Sequence, residues 1–514
     1  MRKKNRKIVL QLDCIRLPGD KIHMTGVLTS FFKNRHFSRL LLFCLSVLLL
    51  STLDLIAQNN AGVRENKTAK IFRAGAATSN ITPKMGTSIN GNMKDISVKQ
   101  IHDETHVRCI VLDDGQTRLA ILTADLCMIY RKELDEAKRK AHEITGIPVE
   151  NMMMSATHTH SGGTACSVFQ SDPDKDYLKF LTERIADALI IANNNLVPAR
   201  IGWDVGDEPT LVFNRRWRMN PAEVKNPFGG IDQLSTYQVN DITDSGLPVI
   251  SIQTPEGRPI ALLANYSLHY VGGTDPGEVS ADYFGMFAER MKKLLQSDSN
   301  QYPQFVAMLS NGTSGNINNV NNKGSRLSLP PYVRMQQVAN IVAAETYKAY
   351  QNIKYQDWIS LSSVQTEIAL GVRLPDKKEI ERAKEIISKA KTPIMESREE
   401  IYARETMLIR DFPKQVSLIL QAFRLGDLAI TAVPCEVFVE IGLEIKEKSP
   451  FKPTFTTSLA NGYNGYLPTP EHHKLGGYET WRARSSYLEV EASNKVTETL
   501  FDLLNKLKAL QPLD

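Results

Sequence analysis

Hydrophobic and polar residues follow two periods that alternate along most of the chain. Short apolar runs rich in Val, Ile and Leu, bounded by Gly, Pro, Asp or Asn, are typical of buried strands, whereas apolar residues spaced three and four apart are typical of amphipathic helices. The predicted strands cover residues 105–112, 117–124, 151–157, 200–205, 249–253, 259–268, 304–309, 359–368, 416–425, 428–432 and 454–459. The predicted helices cover residues 131–144, 174–194, 333–349, 436–449 and 488–507. Because strands alternate with helices, we predict an α/β fold in which helices flank a layered, mixed β-sheet core.

Three segments depart from this alternation. Residues 375–410 are heavily charged and helical in pattern, with Pro393 between two halves, and we interpret them as a surface helical hairpin. Residues 311–322 are rich in Asn, Gly, Ser and Thr, which favour turns, so we predict a loop there. A second loop, rich in Gly, Tyr and Pro, is predicted over residues 461–478.

The N-terminal region carries the positive charge of the chain. The 514 residues include 62 Lys+Arg and 57 Asp+Glu, and residues 1–57 hold ten of the basic and three of the acidic ones. The remainder is close to neutral, so the sequence does not indicate a nucleic-acid partner. Basic residues precede an apolar run over 40–50, which is the layout of a signal peptide, with a signal anchor as the alternative.

This layout predicts how the chain is divided. We expect a targeting segment over residues 1–57, a linker over 58–69 and a single large domain over 70–514. The protein is then exported, which means periplasmic, secreted or extracellular, or it is anchored in a membrane through residues 40–57. Four cysteines follow the targeting segment without Cys-x-x-Cys spacing, so neither a thiolate zinc site nor a dense disulfide scaffold is indicated, and a single disulfide stays open.

Two histidines at the end of a predicted strand carry the clearest chemical signal. His158 and His160 follow the apolar run 151–157 and precede Gly162-Gly163. Residues two apart in a strand face the same side, so this spacing would direct both imidazoles to one spot. A metal ion or a reacting carbonyl suits such a pair. The alternative is two strand-end histidines that hydrogen-bond to the backbone.

Other polar residues also end predicted strands or begin the segments that follow. His269, Glu436 and the tyrosines of 461–478 lie at such positions, each with a plain alternative: a hydrogen-bonded structural histidine, a helix-capping carboxylate and packing tyrosines. Asp125 follows an apolar strand and is a candidate partner for a metal-bound histidine, or else a turn or capping residue.

Several short motifs follow one another in a characteristic order. They are Phe72-Arg73-Ala74-Gly75-Ala76, Asn80-Ile81-Thr82-Pro83, Ile101-His102-Asp103, Thr157-His158-Thr159-His160-Ser161-Gly162, Asn214-Arg215, Leu268-His269, Ser280-Ala281-Asp282-Tyr283, Val433-Pro434-Cys435-Glu436, Tyr466 and Tyr478. In these motifs, residues 70–490 resemble the N-terminal catalytic domain of the neutral/alkaline non-lysosomal ceramidases. The His-Thr-His-Ser-Gly block is the most specific of the matches.

The resemblance implies an exported, zinc-dependent amidohydrolase of sphingolipid metabolism. Its substrate would be ceramide or a related N-acyl lipid, whose amide bond a zinc-activated water hydrolyses. By the same resemblance the zinc ligands are His158, His269, Glu436 and Tyr466. Two imidazoles, a carboxylate and a phenolic oxygen suit Zn²⁺ and leave a position for water, whose pKa the metal lowers to about 7.

Four further residues make up the implied catalytic set. His160 would polarise the carbonyl or shuttle a proton, and Arg215 and Tyr478 would hydrogen-bond an oxyanion or a substrate hydroxyl. Asn318 stands where the family has the serine of a Gly-Asp-Val-Ser-Pro-Asn segment, here Gly315-Asn316-Ile317-Asn318-Asn319. An acyl-serine mechanism through this position is excluded, and Asn318 is left as a group that binds a substrate carbonyl or hydroxyl.

Two other departures from the family keep the function open. Tyr270-Val271-Gly272 stands where ceramidases usually have a proline after the histidine, and the chain is expected to lack the family's C-terminal β-sandwich. We expect a small-molecule or lipid N-acyl substrate and a transient contact with a membrane surface. The alternatives are a zinc hydrolase that acts on an ester or another amide, and a non-catalytic ceramidase-like binding protein. A long apolar groove would favour ceramide, and a pocket of short polar groups would favour an ester.

Overall fold

The structure covers most of the chain after residue 69. It is a computed structural model that describes residues 70–217, 224–232, 241–297, 303–321 and 329–510. The predicted targeting segment 1–57 and linker 58–69 lie outside these ranges. Within them, no helix combines the length and the apolar character that a membrane crossing requires.

The first large sheet, which we call the N-terminal sheet, has five strands. In spatial order they are Met152–Ala156, Arg118–Ala124, His106–Asp113, Arg73–Asn80 and Val197–Pro198. The first two are parallel and all other neighbours are antiparallel. The turn between strands His106–Asp113 and Arg118–Ala124 forms because the Asp114 carboxylate accepts the N–H groups of Gln116 and Thr117, while Gly115 takes the left-handed conformation at φ 94°.

Two further sheets have four strands each. The central sheet has the spatial order Val306–Asn311, Pro259–Tyr266, Gly246–Gln253 and Arg200–Asp207. The C-terminal sheet has the order Leu361–Gly371, Gln415–Leu425, Leu428–Ala432 and Thr454–Thr457. Each contains one parallel pair, the first two strands of the central sheet and the last two of the C-terminal sheet.

The remaining strands are two residues long, and each pair holds two segments of loop together. They are Ser88–Ile89 with Ile96–Ser97, Gln100–Ile101 with Glu278–Val279, Phe213–Asn214 with Ile317–Asn318, Val224–Lys225 with Ile231–Asp232, and Glu436–Val437 with Tyr466–Leu467. The last pair is parallel and brings a predicted carboxylate ligand beside a predicted tyrosine ligand.

Helices cover the outer faces of the three sheets. The helices in the described ranges are Arg131–Thr145, Lys175–Asn194, Asp282–Leu294, Val333–Asn352, Lys377–Ser388, Arg398–Ile409, Val439–Lys448, Pro470–Leu475 and Ala492–Ala509, with a short 3₁₀ helix at Val149–Asn151. The predicted charged hairpin is confirmed as two helices, each with a capping box: Asp376 with Glu379, and Ser397 with Glu400.

One hydrophobic core joins the three sheets. It contains Ile110 and Met153 from the N-terminal sheet, Ile250 from the central sheet, and Phe423 and Ile430 from the C-terminal sheet. Three further cores fill the space between each sheet and its own helices. The predicted α/β class with layered mixed sheets is therefore confirmed.

The structure corrects several element boundaries. The predicted helix 436–449 begins only at Val439, because Glu436 belongs to a short strand. The predicted loop 461–478 contains the helix Pro470–Leu475, which starts with Thr469 accepting the His472 N–H. Strand Arg73–Asn80 and helix Asp282–Leu294 were not predicted.

Candidate functional site

The parallel strand pairs place three predicted ligands at one locus. His158 follows Met152–Ala156, His269 follows Pro259–Tyr266, and Glu436 follows Leu428–Ala432. Each of these strands belongs to the parallel pair of its own sheet. Groups that follow the carboxyl ends of parallel strands commonly form the sites of α/β proteins.

The three side chains converge in the interior. Ligand atoms of His158, His269 and Glu436 all lie within 4.8 Å of one another. The Glu436 Oε2 atom is 3.3 Å from His158 Nε2 and 4.0 Å from His269 Nδ1. Donors that share a tetrahedral zinc ion lie roughly 3.4 Å apart, given bond lengths of about 2.1 Å.

The chemistry of this donor set fits a divalent cation. The side chains of His158, His269 and Glu436 are at most 5% exposed, and Glu436 Oε2 has no hydrogen-bond partner within the described ranges. This oxygen faces imidazole nitrogens of His158 and His269, and two imidazoles with a carboxylate are ligand types that zinc binds. The residues present therefore suit zinc.

Neighbouring groups orient two of the three donors. The His158 Nδ1–H donates to the Cys127 carbonyl at 2.9 Å, which leaves Nε2 directed to Glu436. The Tyr463 hydroxyl donates to Glu436 Oε1 at 3.0 Å, which leaves Oε2 directed to the histidines. Hydrogen bonds of this kind are typical around metal-bound imidazoles and carboxylates. Nothing in the sequence pattern distinguished Cys127 or Tyr463 for these contacts.

Tyr466 and Arg215 complete one wall of the same cavity. Tyr466 pairs with Glu436 across the short parallel strands, and its hydroxyl accepts a hydrogen bond from Arg215 Nη2 at 3.2 Å. Arg215 Nη1 also lies 3.2 Å from His269 Nδ1, and its guanidinium lies over the rings of Tyr466 and Tyr478. Arg215 can therefore stabilise negative charge that develops beside the three donors.

His160 reaches the site by a route that strand geometry did not predict. The strand ends at Ala156, and His158 has a φ of 77°, so the two histidines do not share a strand face. Their rings nevertheless meet edge to face, with Nε2 atoms 3.3 Å apart. Gly91 lies so close that a Cβ there would come within 2.5 Å of His160 Nδ1. The same-face argument was therefore wrong, although the rings do lie together.

Burial and neighbouring charges set different pKa values for the titratable groups. Burial and the charge on His158 lower the pKa of His160 to about 3. Burial and Arg215 lower the pKa of His269 well below its usual value. Burial opposes ionisation of Glu436, but His158 outweighs it and lowers the pKa of Glu436. Burial also lowers the pKa of His158, but Cys127 and Glu436 outweigh it and raise that pKa. His160 and His269 are thus neutral imidazoles, and Glu436 is a carboxylate.

Two adjoining cavities give access to these groups. The inner cavity, of about 210 Å³, is lined by His158, His160, His269 and Glu436 together with the tyrosines of the C-terminal loop. The outer pocket, of about 700 Å³, holds Asn318 on its wall. Asn318 is therefore placed on the way to the ligand cluster. The residues that line both cavities are Met93, Arg215, Val271 and Tyr478.

The structure shows the surroundings of Asp125, Glu479 and the cysteines. Asp125 does not contact a candidate ligand: its Oδ2 accepts the His106 N–H at 2.9 Å and Arg108 Nη1 at 2.6 Å, so it acts within a buried ion pair. Glu479, which the motifs did not single out, binds both Arg215 and Arg216. The cysteines of the described ranges, Cys109, Cys127, Cys166 and Cys435, are buried and free.

Comparison with known proteins shows a likeness to neutral ceramidases. No protein-family model matches the chain. It is 25% identical over 187 residues to neutral ceramidase A of Dictyostelium discoideum and 24% identical over 182 residues to neutral ceramidase B of the same organism. Each alignment covers 33% of this chain and 24% of the relative, so the chain matches about a quarter of the length of these curated relatives.

Solved structures extend the likeness to the whole fold. The neutral ceramidase of Pseudomonas aeruginosa superposes with a TM-score of 0.67 at 18% identity, covering 87% of this chain and 76% of the other. A ceramidase complexed with C2 superposes with a TM-score of 0.66 at 16% identity and the same coverage. By its fold, the described part of the chain is therefore a neutral ceramidase-like domain.

Proposed function

We propose that this protein is a zinc-dependent hydrolase that cleaves the amide bond of ceramide or a related N-acyl compound. The observation that carries the proposal is the convergence of His158, His269 and Glu436, within 4.8 Å of one another, in a buried cavity of a ceramidase-like fold. A zinc ion held there, with Tyr466 beside it, would supply a Lewis acid and lower the pKa of a water molecule.

The residues around the donors suit the developing charges of amide hydrolysis. Arg215 and Tyr478 line the cavity from the side of the outer pocket, where a carbonyl oxygen would enter. The N–H groups of Arg215 and the hydroxyl of Tyr478 would donate hydrogen bonds to the oxyanion as the carbonyl carbon becomes tetrahedral. The His160 Nε2 atom lies 3.3 Å from that of His158, so this imidazole is placed to hydrogen-bond to the substrate carbonyl or to the leaving nitrogen.

Asn318 is assigned to substrate binding. It lies on the wall of the outer pocket. Its side chain is an amide, which lacks the hydroxyl group that a serine nucleophile uses. The amide can donate to a substrate carbonyl and accept from a hydroxyl. We therefore propose that Asn318 orients the substrate, and that no acyl-enzyme forms at this position.

The first experiment measures hydrolysis and its dependence on metal. Purified protein is incubated with ceramide and with a panel of N-acyl amides and matched esters, with and without a chelator, and fatty acid release is quantified. Loss of amide hydrolysis on chelation and recovery with zinc would support the proposal. Amide hydrolysis that is insensitive to chelator would contradict it, and faster cleavage of the esters would favour the alternative substrate class.

A variant at the donor cluster separates metal binding from folding. His158→Ala should lose stoichiometric zinc and at least 10³-fold in activity, since a donor and the orientation of Glu436 are both lost. His142→Ala is the matched control, because that exposed histidine lies in helix Arg131–Thr145 and its Nδ1 hydrogen-bonds to the Ile147 carbonyl. An active, metal-free His158→Ala protein would refute the assignment.

We also propose that the protein acts outside the cytoplasm. The support is the sequence alone: basic residues precede the apolar run 40–50. Fractionation of cells that express the full chain, with N-terminal sequencing of the product, distinguishes a cleaved signal from an anchor. Full-length protein in the cytosolic fraction would contradict both.

A further inference from the structure

The outer pocket combines apolar side chains such as Met93, Val271 and Trp481 with several charged and amide groups. Its volume of about 700 Å³ is more than three times that of the inner cavity, and its wall includes three arginines, Arg215, Arg216 and Arg398, beside two asparagines. An acyl chain there would remove the guanidinium of Arg398 and the amide of Asn318 from water without a new partner, which is costly. The pocket therefore suits the polar part of a substrate.

The arginines of the pocket are only partly neutralised. Arg215 Nε and Arg216 Nη1 share one carboxylate, that of Glu479, at 3.0 and 2.6 Å. Glu436 also acts on Arg215 from the inner cavity, so this buried group of charges is close to neutral. On the wall of the outer pocket as a whole, three arginines face one carboxylate, Glu479, and the excess positive charge is that of Arg398. A negatively charged group that enters the pocket would reduce this imbalance.

Arg398 supplies this positive charge at the rim. It begins the second helix of the charged hairpin, is exposed, and has no ion pair within the described ranges. Its guanidinium lies over the Trp481 ring at 5.4 Å, which holds the side chain along the pocket wall. The Asp232 carboxylate accepts the Trp481 indole N–H and the Gly477 N–H, and it forms no ion pair with Arg398 within the described ranges.

We propose that the preferred substrates are N-acyl compounds whose amine part carries an acidic group, such as a carboxylate or a sulfonate. This inference rests on the proposed function and names its substrate class. The acyl carbonyl enters the inner cavity, while the acidic group binds in the outer pocket between Arg398 and Arg216. Hydrolysis breaks the amide C–N bond, the oxygen of water joins the acyl carbon, and a proton passes to nitrogen. The acidic group leaves on the amine.

The test compares substrates that differ only in charge. N-Dodecanoyltaurine and N-dodecanoylglycine are acidic, N-dodecanoylethanolamine is neutral, and N-dodecanoylethylenediamine is cationic, all with one acyl chain. We expect kcat/KM to be at least tenfold higher for the acidic pair than for the neutral compound, to be lowest for the cationic one, and to lose this preference at high salt. Equal kcat/KM values across the series would overturn the inference while leaving the proposed function intact.

Variants at Arg398 test whether this residue causes the preference for acidic substrates. Arg398→Ala should raise KM for the acidic substrates about tenfold with little change in kcat and leave the neutral substrate unaffected, and Arg398→Lys should retain part of the preference. Arg410→Ala is the matched control at the other end of the same helix, where the arginine pairs with Asp411. An equal loss for acidic and neutral substrates in Arg398→Ala would contradict the assignment.

A binding measurement keeps the inference testable if no substrate is hydrolysed. In that case the proposed function fails, and calorimetric titration of the protein with N-dodecanoyltaurine and N-dodecanoylethanolamine tests the pocket alone. Tighter binding of the sulfonate, lost in Arg398→Ala, would support an acidic ligand. Equal binding of the two compounds would overturn it.

Discussion

Single buried contacts around the candidate site fix which oxygen or nitrogen of each donor points inward. Glu436 presents Oε2 to the histidines because Tyr463 holds Oε1, and His158 presents Nε2 because the Cys127 carbonyl holds Nδ1. At this scale the structure predicts that losing an orienting hydrogen bond weakens metal binding without unfolding the chain.

Tyr463→Phe tests that prediction. Removal of the hydroxyl should lower zinc affinity about tenfold, because Glu436 loses the bond that orients its carboxylate. Competition with a chelating dye measures the affinity. Tyr487→Phe is the control. This tyrosine is as buried as Tyr463, but its hydroxyl donates to Asn464 and not to a candidate metal ligand. The idea fails if both variants lose zinc affinity alike.

Lys138 gives a prediction about pH. Burial lowers its pKa from 10.5 to about 8, and its Nζ donates to Asn461 Oδ1 at 2.8 Å. The unfolded chain therefore binds more protons than the folded one between pH 8 and 10.5, so this group makes unfolding costlier as pH rises through that window.

Replacement of Lys138 by methionine removes that dependence. The free energy of unfolding of Lys138→Met, minus that of the native protein, should fall by roughly 3 kcal/mol between pH 7 and 10.5, from about 2.5 pKa units. Urea unfolding at several pH values measures both proteins. A difference that stays constant with pH would show that folding does not lower the pKa of Lys138.

Some residue positions were predictable and others were not. The motifs placed His158, His269 and Glu436 at segment ends, and the structure brings them together. The left-handed backbone of His158 was not predictable, because φ values above zero are rare for residues other than glycine. Tyr463 was not predictable either, because its contact depends on how two distant segments are paired.

At the scale of elements, three parallel strand pairs position the candidate ligands. Each pair belongs to a different sheet, and the segments that follow supply His158, His269, Glu436 and the tyrosines after Thr454–Thr457. The loop after Val306–Asn311, which supplies no donor, packs against the backbone of Glu436 and Val437: the Gly315 N–H donates to the Val437 carbonyl at 2.8 Å. That loop therefore holds in place the short strand that carries the Glu436 carboxylate.

Gly315→Ala tests this support. A Cβ at Gly315 would lie 2.5 Å from the Glu436 carbonyl oxygen, so the short strand has to move, and zinc affinity should fall at least tenfold. Gly206→Ala is the control, because its new Cβ meets only the end of the Glu345 side chain at 3.0 Å. Zinc titration and thermal melts of both variants give the comparison; retention of full zinc affinity by Gly315→Ala would exclude a supporting role.

Element prediction failed where periodicity is weak. Strand Arg73–Asn80 is made largely of Ala, Gly, Ser and Thr, which have little apolar alternation, and it is stabilised as a strand by its long antiparallel partner His106–Asp113. Helix Asp282–Leu294 begins without a side-chain cap and with Asp282 at φ 59°. The missing cap does not explain the miss, because the predicted helices Arg131–Thr145 and Val333–Asn352 also lack one. The strands bounded by turn residues were predicted within a few residues.

At the scale of the whole molecule, the donor cluster links three sheets. His158, His269 and Glu436 come from the N-terminal, central and C-terminal sheets, which meet in one shared core. A metal held by all three would bind the folded arrangement and not the unfolded chain. Such binding stabilises the fold by mass action, by about 2.7 kcal/mol at a hundredfold excess over Kd.

Chelation should therefore lower the melting temperature of the native protein. We expect a decrease of roughly 3–5 °C by calorimetry, reversed by added zinc. His158→Ala should melt at the same temperature with and without chelator. An unchanged melting temperature in the native protein would show that the three sheets are not linked through a metal.

The separation of the donors along the chain also has a consequence for biosynthesis. His158 is made early, whereas Glu436 and Tyr466 are added about 280 and 310 residues later, which takes roughly 15–60 s at typical rates of translation. Until then the proposed set of His158, His269 and Glu436 is incomplete, although Cys127, His158 and His160 form another group of possible ligands in the N-terminal part. If the protein binds zinc through the proposed set, ribosome-bound chains truncated before residue 436 should therefore bind zinc more weakly than the full chain.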